Sequence, residues 1–221
     1  MNCKAKKFLK YKYHLGELGI SELTPIHQMP IMKGEFCIPK RLVAFDEINR
    51  KRDSQAGIHM FLDDYKLECI WNNTEQYIEK MRNFMCVFTP DYSMLLDMSS
   101  ANINWCSYRS KHIGCLLQKY GLKVIPSISW AGRNTYDSCF DGYPHNSVVA
   151  VSTVGVMQKP DALRCFMSGF QEMLSRLSPS AIILYGLAPR FDFETPPITH
   201  FENTKLIWKN SYQPVLLEEV I

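Results

Sequence analysis

Along this chain short, uniformly apolar runs alternate with longer stretches in which apolar residues recur every three or four positions. Leu42-Val43-Ala44-Phe45 and Ile58-His59-Met60-Phe61-Leu62 are each ended by two acids, Asp46-Glu47 and Asp63-Asp64, and read as strands. Met85-Cys86-Val87-Phe88, Val124-Ile125, Val148-Val149-Ala150-Val151 and Ala181-Ile182-Ile183-Leu184-Tyr185 are apolar throughout, as strands covered on both faces are. Leu206-Ile207-Trp208 is a candidate for one more.

Helical spacing fills the intervals. Thr74 offers an N-cap and Glu75 suits the positive helix end, with Tyr77, Ile78, Met81 and Phe84 on one stripe. From about Ser99 to Tyr120 a helix buries Ile103, Cys106, Ile113, Leu116, Leu117 and Tyr120, and Gly121 supplies a left-handed C-terminal cap. A third helix begins near Pro160 and carries Leu163, Phe166, Met167, Phe170, Met173, Leu174 and Leu177 on one face.

Apolar strands alternating with amphipathic helices are β-α-β units, whose strands lie parallel in one sheet. Six or seven such strands fall short of a complete (β/α)8 barrel. Two architectures follow: a small or incomplete TIM-barrel-like α/β fold, and an open doubly wound sheet. The expected organisation is a basic, irregular N-terminal segment over 1–41, with three prolines and a glycine between Thr24 and Pro39, and a single α/β domain over 42–221.

Composition narrows the function classes. The formal charge of +3 is small and the charges are interspersed, so a dedicated polyanion-coating protein is not indicated. Lysines and aromatics interleave from Lys4 to Tyr13, an arm suited either to nucleic acid or to plain solvation. Eight cysteines without a C-x-x-C pair fit a reducing compartment, and the chain is expected in the cytoplasm. No H-x-H or H-E-x-x-H spacing points to zinc, no stretch is long enough for a membrane span, and neither a Walker loop nor G-x-G-x-x-G occurs. The sequence therefore names no metal or cofactor.

In either architecture ligands meet the carboxyl ends of the strands. Asp91, between a proline and a tyrosine beyond Phe88, suits a general base, or an Asx turn. Asp63, with Asp64, is the candidate second carboxylate, or a helix cap. Ser93, Ser127, Ser129, Ser152 and Thr153 are candidate hydroxyl ligands, or partners for strand-end backbone. Trp130 and Tyr185 can stack on a planar ring or pack in the core, Arg109 and Arg133 can meet an anionic group, and Asp141 is a further candidate ligand-binding residue. Without G-x-S-x-G, a serine nucleophile is not indicated.

Thr89-Pro90-Asp91-Tyr92-Ser93, Pro126-Ser127-Ile128-Ser129-Trp130 and the segment from Phe140-Asp141-Gly142-Tyr143 to Ser152-Thr153-Val154-Gly155 together resemble the DUF4417 family, a group found in bacteria and their phages. The resemblance runs roughly from Val43 to Gly186 and implies no particular reaction. Acidic residues usually follow the Ser-Trp pair in that pattern, whereas this chain has Ala131-Gly132-Arg133, which leaves no carboxylate there.

Three functions are consistent with these residues. One is an enzyme acting on a nucleotide-, nucleobase- or sugar-like small molecule, with Asp91 as acid/base. Another is a non-catalytic phage or mobile-element protein that sequesters a host ligand or blocks a host protein. The third is nucleic-acid binding through the Lys4–Tyr13 arm.

Overall fold

The computed structural model describes residues 22–203; the Lys4–Tyr13 arm and the Leu206–Trp208 run lie outside them. Among the described residues seven strands follow one another: β1 (Arg41–Ala44), β2 (Asp53–His59), β3 (Phe84–Phe88), β4 (Val124–Ile125), β5 (Val148–Ser152), β6 (Ala181–Tyr185) and β7 (Ile198–Phe201). Every pairing between these strands is parallel, in the orders β1-β2-β3-β4 and β5-β6-β7. A parallel bridge between Ser127 and Ala150 joins the two groups, with Ile128 N–H donating to Ala150 O at 2.8 Å and Ala150 N–H to Pro126 O at 2.9 Å.

The order is sequential, without the reversal of a doubly wound sheet, and the sheet is strongly curled. β2 and β6 stand four places apart in that order, which in a flat sheet is roughly 19 Å. The rings of His59 at the end of β2 and Tyr185 at the end of β6 nevertheless meet, with centroids 4.6 Å apart. No pairing of β7 with β1 closes a barrel among the described residues, so the fold is an incomplete, open α/β sheet.

Period-two alternation explains why these strands are apolar throughout. One set of side chains, Cys86, Phe88, Ile125, Val148, Ala150, Ala181, Ile183 and Tyr185, fills the concave face. The other, Val87, Val124, Val149, Val151, Ile182 and Leu184, packs against the helices. The helices are α1 (Asp64–Asn72), α2 (Ile78–Met81), α3 (Ser100–Lys119), α4 (Tyr136–Phe140) and α5 (Pro160–Leu177). Phe166, Phe170, Met173 and Leu177 of α5 are buried in that outer core, as the stripe requires.

Local chemistry sets the helix ends. Ser99 caps α3 by accepting from Asn102 N–H at 3.3 Å, and Gly121 takes φ +77° just beyond it. Thr74 does not cap: its hydroxyl donates back to Ile70 O at 2.7 Å, and the expected helix is split into a 3-10 turn over Thr74–Tyr77 and the short α2. α1 and β7 are additions to the expected elements.

A segment preceding β1 crosses the amino end of the sheet. Glu35 O accepts from Val148 N–H at 2.9 Å, and Lys40 N–H donates to Gln55 O at 3.0 Å. Among the described residues no helix is long and apolar enough to cross a membrane.

Candidate functional site

Since all strands run parallel, the residues beyond β3, β4, β5 and β6 emerge at one end of the sheet. There the Asp91 backbone is fixed to β2 by its N–H donating to Met60 O at 3.3 Å. Ser129 Oγ, beyond β4, donates a short hydrogen bond to Asp91 Oδ1. Loss of water around this carboxyl pushes it up to about 6 and the Asp64 charge adds to the rise, while the Ser129 hydrogen bond opposes it. Burial thus holds the Asp91 carboxyl above the ordinary carboxylate range.

Asp64 begins α1 and turns toward this loop, accepting from Ser93 N–H at 3.0 Å and from Ser93 Oγ at 2.9 Å. Asp63, one residue earlier, is exposed and makes no capping hydrogen bond. The second carboxylate near Asp91 is therefore Asp64 rather than Asp63. Glu68, one helical turn further along α1, accepts from Arg109 Nη1 at 2.5 Å. The Arg109 guanidinium carbon stands over the Tyr92 ring, 3.7 Å from its centroid, and Arg109 is buried where α3 meets α1. The buried Tyr92 hydroxyl has no hydrogen-bond partner among the described residues.

The remaining candidate residues divide between structural bonding at this end and a place at the other. Ser127 binds β3 to β4: its N–H donates to Thr89 Oγ1 and its Oγ to Thr89 O, both at 2.8 Å. Tyr143 OH donates to Ser127 O at 3.0 Å. Ser152 accepts from Val154 N–H at 3.2 Å, and buried Thr153 donates to Leu187 O at 2.7 Å. Gly186, at φ +113°, approaches Thr153 so closely that a Cβ there would stand 2.5 Å from its hydroxyl oxygen. Tyr185 faces the concave side and stacks on Phe61 with centroids 5.1 Å apart. Trp130 is seated on α5, its Nε1–H donating to Cys165 O at 3.4 Å and its ring filling the place of a side chain at Gly169.

Asp141 lies at the opposite end. It accepts from Thr24 Oγ1 at 2.5 Å and pairs with His27 Nδ1 at 3.0 Å. It also lines a cavity of about 310 Å³, with Asp137, Tyr143, His145 and Arg176, at the amino-terminal approach to β5. Among the described residues no group of three or more His, Cys, Asp or Glu is placed to hold a metal ion.

The structure thus brings Asp91, Ser93 and Ser129 together, takes Asp64 from the Asp63–Asp64 pair, and adds Glu68 and Tyr92, which the sequence reading had not assigned to the site. Asp64 and Glu68, four residues apart on an amphipathic helix, carried the detectable signal.

The family model described as a domain of unknown function, DUF4417, matches residues 21–202. The chain belongs to this family. Two phage proteins, both called Gene 1 protein, are similar to it. The one from Mycobacterium phage L5 is 31% identical over 185 residues, covering 81% of this chain and 80% of its own length. The one from Mycobacterium phage D29 is 33% identical over 164 residues, covering 72% of this chain and 60% of its own length. The chain thus spans about 60% of the length of the D29 relative. No solved structure matches. The DUF4417 match includes every residue of the Asp91 cluster and starts well before Val43.

Proposed function

We propose that this DUF4417 chain is an enzyme that acts on a nucleotide-, nucleobase- or sugar-like small molecule, with Asp91 as the group that gives and takes the proton. The observation that carries the reading is the Asp91–Ser129 hydrogen bond beside Asp64, at the end of a parallel sheet where α/β enzymes place their chemistry. One partly desolvated carboxyl and a second that accepts two hydrogen bonds from Ser93 form an unequal acid pair. Unequal environments are what separate an acid from a base in such pairs. Ser93 and Ser129 each donate their one hydroxyl proton to a carboxyl, orienting it, and through their free lone pairs accept from substrate hydroxyls. Arg109, held by Glu68 and the Tyr92 ring, keeps the α1–α3 wall of the site in place.

The test is a panel of nucleosides, nucleoside monophosphates, free bases and simple glycosides incubated with the full chain and followed by NMR. The wild type converts at least one of them, and Asp91→Asn, still folded, loses at least about a hundredfold of that rate. A compound that binds and is recovered unchanged favours sequestration instead. Equal turnover by Asp91→Asn removes Asp91 from the chemistry.

A further inference from the structure

Just beyond Ser93 the loop between β3 and α3 carries two methionines, Met94 and Met98, against a buried cysteine, Cys139 of α4. The Cys139 thiol donates to the Met94 thioether, with the two sulfurs 3.8 Å apart. Met94 and Met98, both half-buried, pack on the same small cluster of Ile103, Ala131 and Cys139, with Trp130 beside them. Met98 N–H donates to Leu95 O at 3.1 Å, and Ser99, the next residue, caps α3, so the loop is fixed where it presents Met98. One thiol and two thioethers thus share an apolar wall.

The spacing suits ligands of a single ion. Metal–sulfur bonds of about 2.3 Å set two sulfurs on one ion about 3.8–4.0 Å apart, the lower value in tetrahedral and the upper in trigonal geometry. The Cys139–Met94 separation already lies there. Thioethers are soft, neutral donors, so two of them with one thiolate select copper(I) over zinc, magnesium or calcium. Charge points the same way: a thiolate and a monovalent ion cancel, and the neutral unit is cheap to bury, whereas a divalent ion leaves a net charge among apolar side chains. Cys139 is 0% exposed, and burial holds its thiol above the ordinary range, with the Lys111 charge among the effects opposing it. Such a thiol is a poor nucleophile, and an ion bound to the sulfur is what takes the place of its proton.

We propose that Met94, Met98 and Cys139 form a copper(I) site, in which the ion is held by one thiolate and two thioethers. The Cys139 S–H bond breaks, the sulfur keeps the electron pair and bonds the ion, and the proton leaves to solvent. Copper enters and stays monovalent, so no electron is transferred. The ion approaches from the loop side, where Met94 and Met98 are half-buried and Leu95 and Leu96 between them are exposed. Both thioethers swing on unbranched side chains, which lets them close on the ion while the Cys139 sulfur stays in the core. The site uses none of the Asp91 cluster and stands independently of the chemistry assigned to Asp91.

The experiment titrates the reduced full chain, labelled with 13C at the methionine methyls, with copper(I) under argon, and measures affinity by competition with bicinchoninate. Copper(I) is diamagnetic, so the methyl signals stay visible; Met94→Leu and Met98→Leu assign them. Up to one equivalent, the Met94 and Met98 methyl signals are expected to move while those of the other methionines stay, and Cys139 becomes protected from alkylation. Met94→Leu and Met98→Leu, which keep the apolar volume, are expected to weaken copper(I) by at least about tenfold, no less than loss of an outer-shell partner costs a metal site. Cys139→Ala is expected to abolish the methyl shifts, and Cys69→Ser, which removes an exposed thiol, to leave them unchanged. The proposal is overturned if the first equivalent goes to Cys69 or another thiol with the Met94 and Met98 methyls unmoved. It is equally overturned if both leucine variants bind as tightly as the wild type, or if zinc moves the same methyls as copper(I) does.

Discussion

Ser129 Oγ donates to the Asp91 carboxylate across the gap between β3 and β4, and does not fully offset what that carboxyl loses by leaving water. The net effect is a pKa raised from 3.8 to about 6. Between those values the folded chain binds a proton that the unfolded chain has released, so Asp91 lowers stability as pH rises through this window. Asp91→Asn is therefore expected to stabilise the protein by up to about 3 kcal/mol at pH 8 and by nearly nothing at pH 3.5. Thermal unfolding of both proteins at the two pH values measures the difference; an equal Tm change at both would place its origin outside the proton.

The Asp64 charge adds to the rise at Asp91, which gives a second handle. Asp64→Asn keeps an oxygen to accept from Ser93 but removes the charge. The Asp91 titration midpoint is expected to move down toward 3.8 in this variant, and an unchanged midpoint would show that burial alone sets it.

Lys111 extends the same linkage at high pH. Its ammonium lies inside the domain, donating to Ser107 Oγ and to Cys139 O at 2.9 Å and standing 4.1 Å from the Tyr143 ring centroid. Burial pushes it down to about 7, with Cys139, Asp141 and Cys115 opposing. Between about 7 and 10.5 the unfolded chain holds a proton that the folded chain lacks, so stability rises with pH across that window. Lys111→Met is expected to remove that rise, visible as a flatter urea midpoint between pH 7 and pH 9.5. A slope as steep as in the wild type would contradict the assignment.

Gly169 and Trp130 form a fit without spare room. A Cβ at position 169 would lie 2.0 Å from Trp130 Nε1, so Gly169→Ala displaces the indole from α5 despite alanine's better helix propensity. The expected cost is about 1–3 kcal/mol with a shift in Trp130 fluorescence. A stabilised variant with unchanged fluorescence would mean that the indole has room to move.

Much of the fold was legible because the curled sheet is covered on both faces. Val148–Val151 and Ala181–Tyr185 fill the concave side and the helix side in alternation, and so read as uninterrupted apolar runs. Ile198–Phe201 was not legible: it follows two prolines, is half-exposed and contains His200, and only its pairing with β6 makes it a strand. The site was legible in its placement and less so in its members. Which of Asp63 and Asp64 meets Ser93 depends on where α1 begins, a matter of one residue that local sequence does not fix. Asp141 and Ser152 share one polar motif, yet β5 runs between them and carries them to opposite ends of the sheet. Thr153 reads as a ligand hydroxyl until the Leu187 carbonyl that it serves is seen.

The most direct measurement is the titration of the Asp91 carboxyl carbon by NMR in the folded chain, assigned through Asp91→Asn. If this residue is the proton-exchanging group of the site, the midpoint lies at about 6. A midpoint at or below 3.8, the ordinary value, would make Asp91 a plain carboxylate at neutral pH and leave it only a hydrogen-bonding role with Ser129.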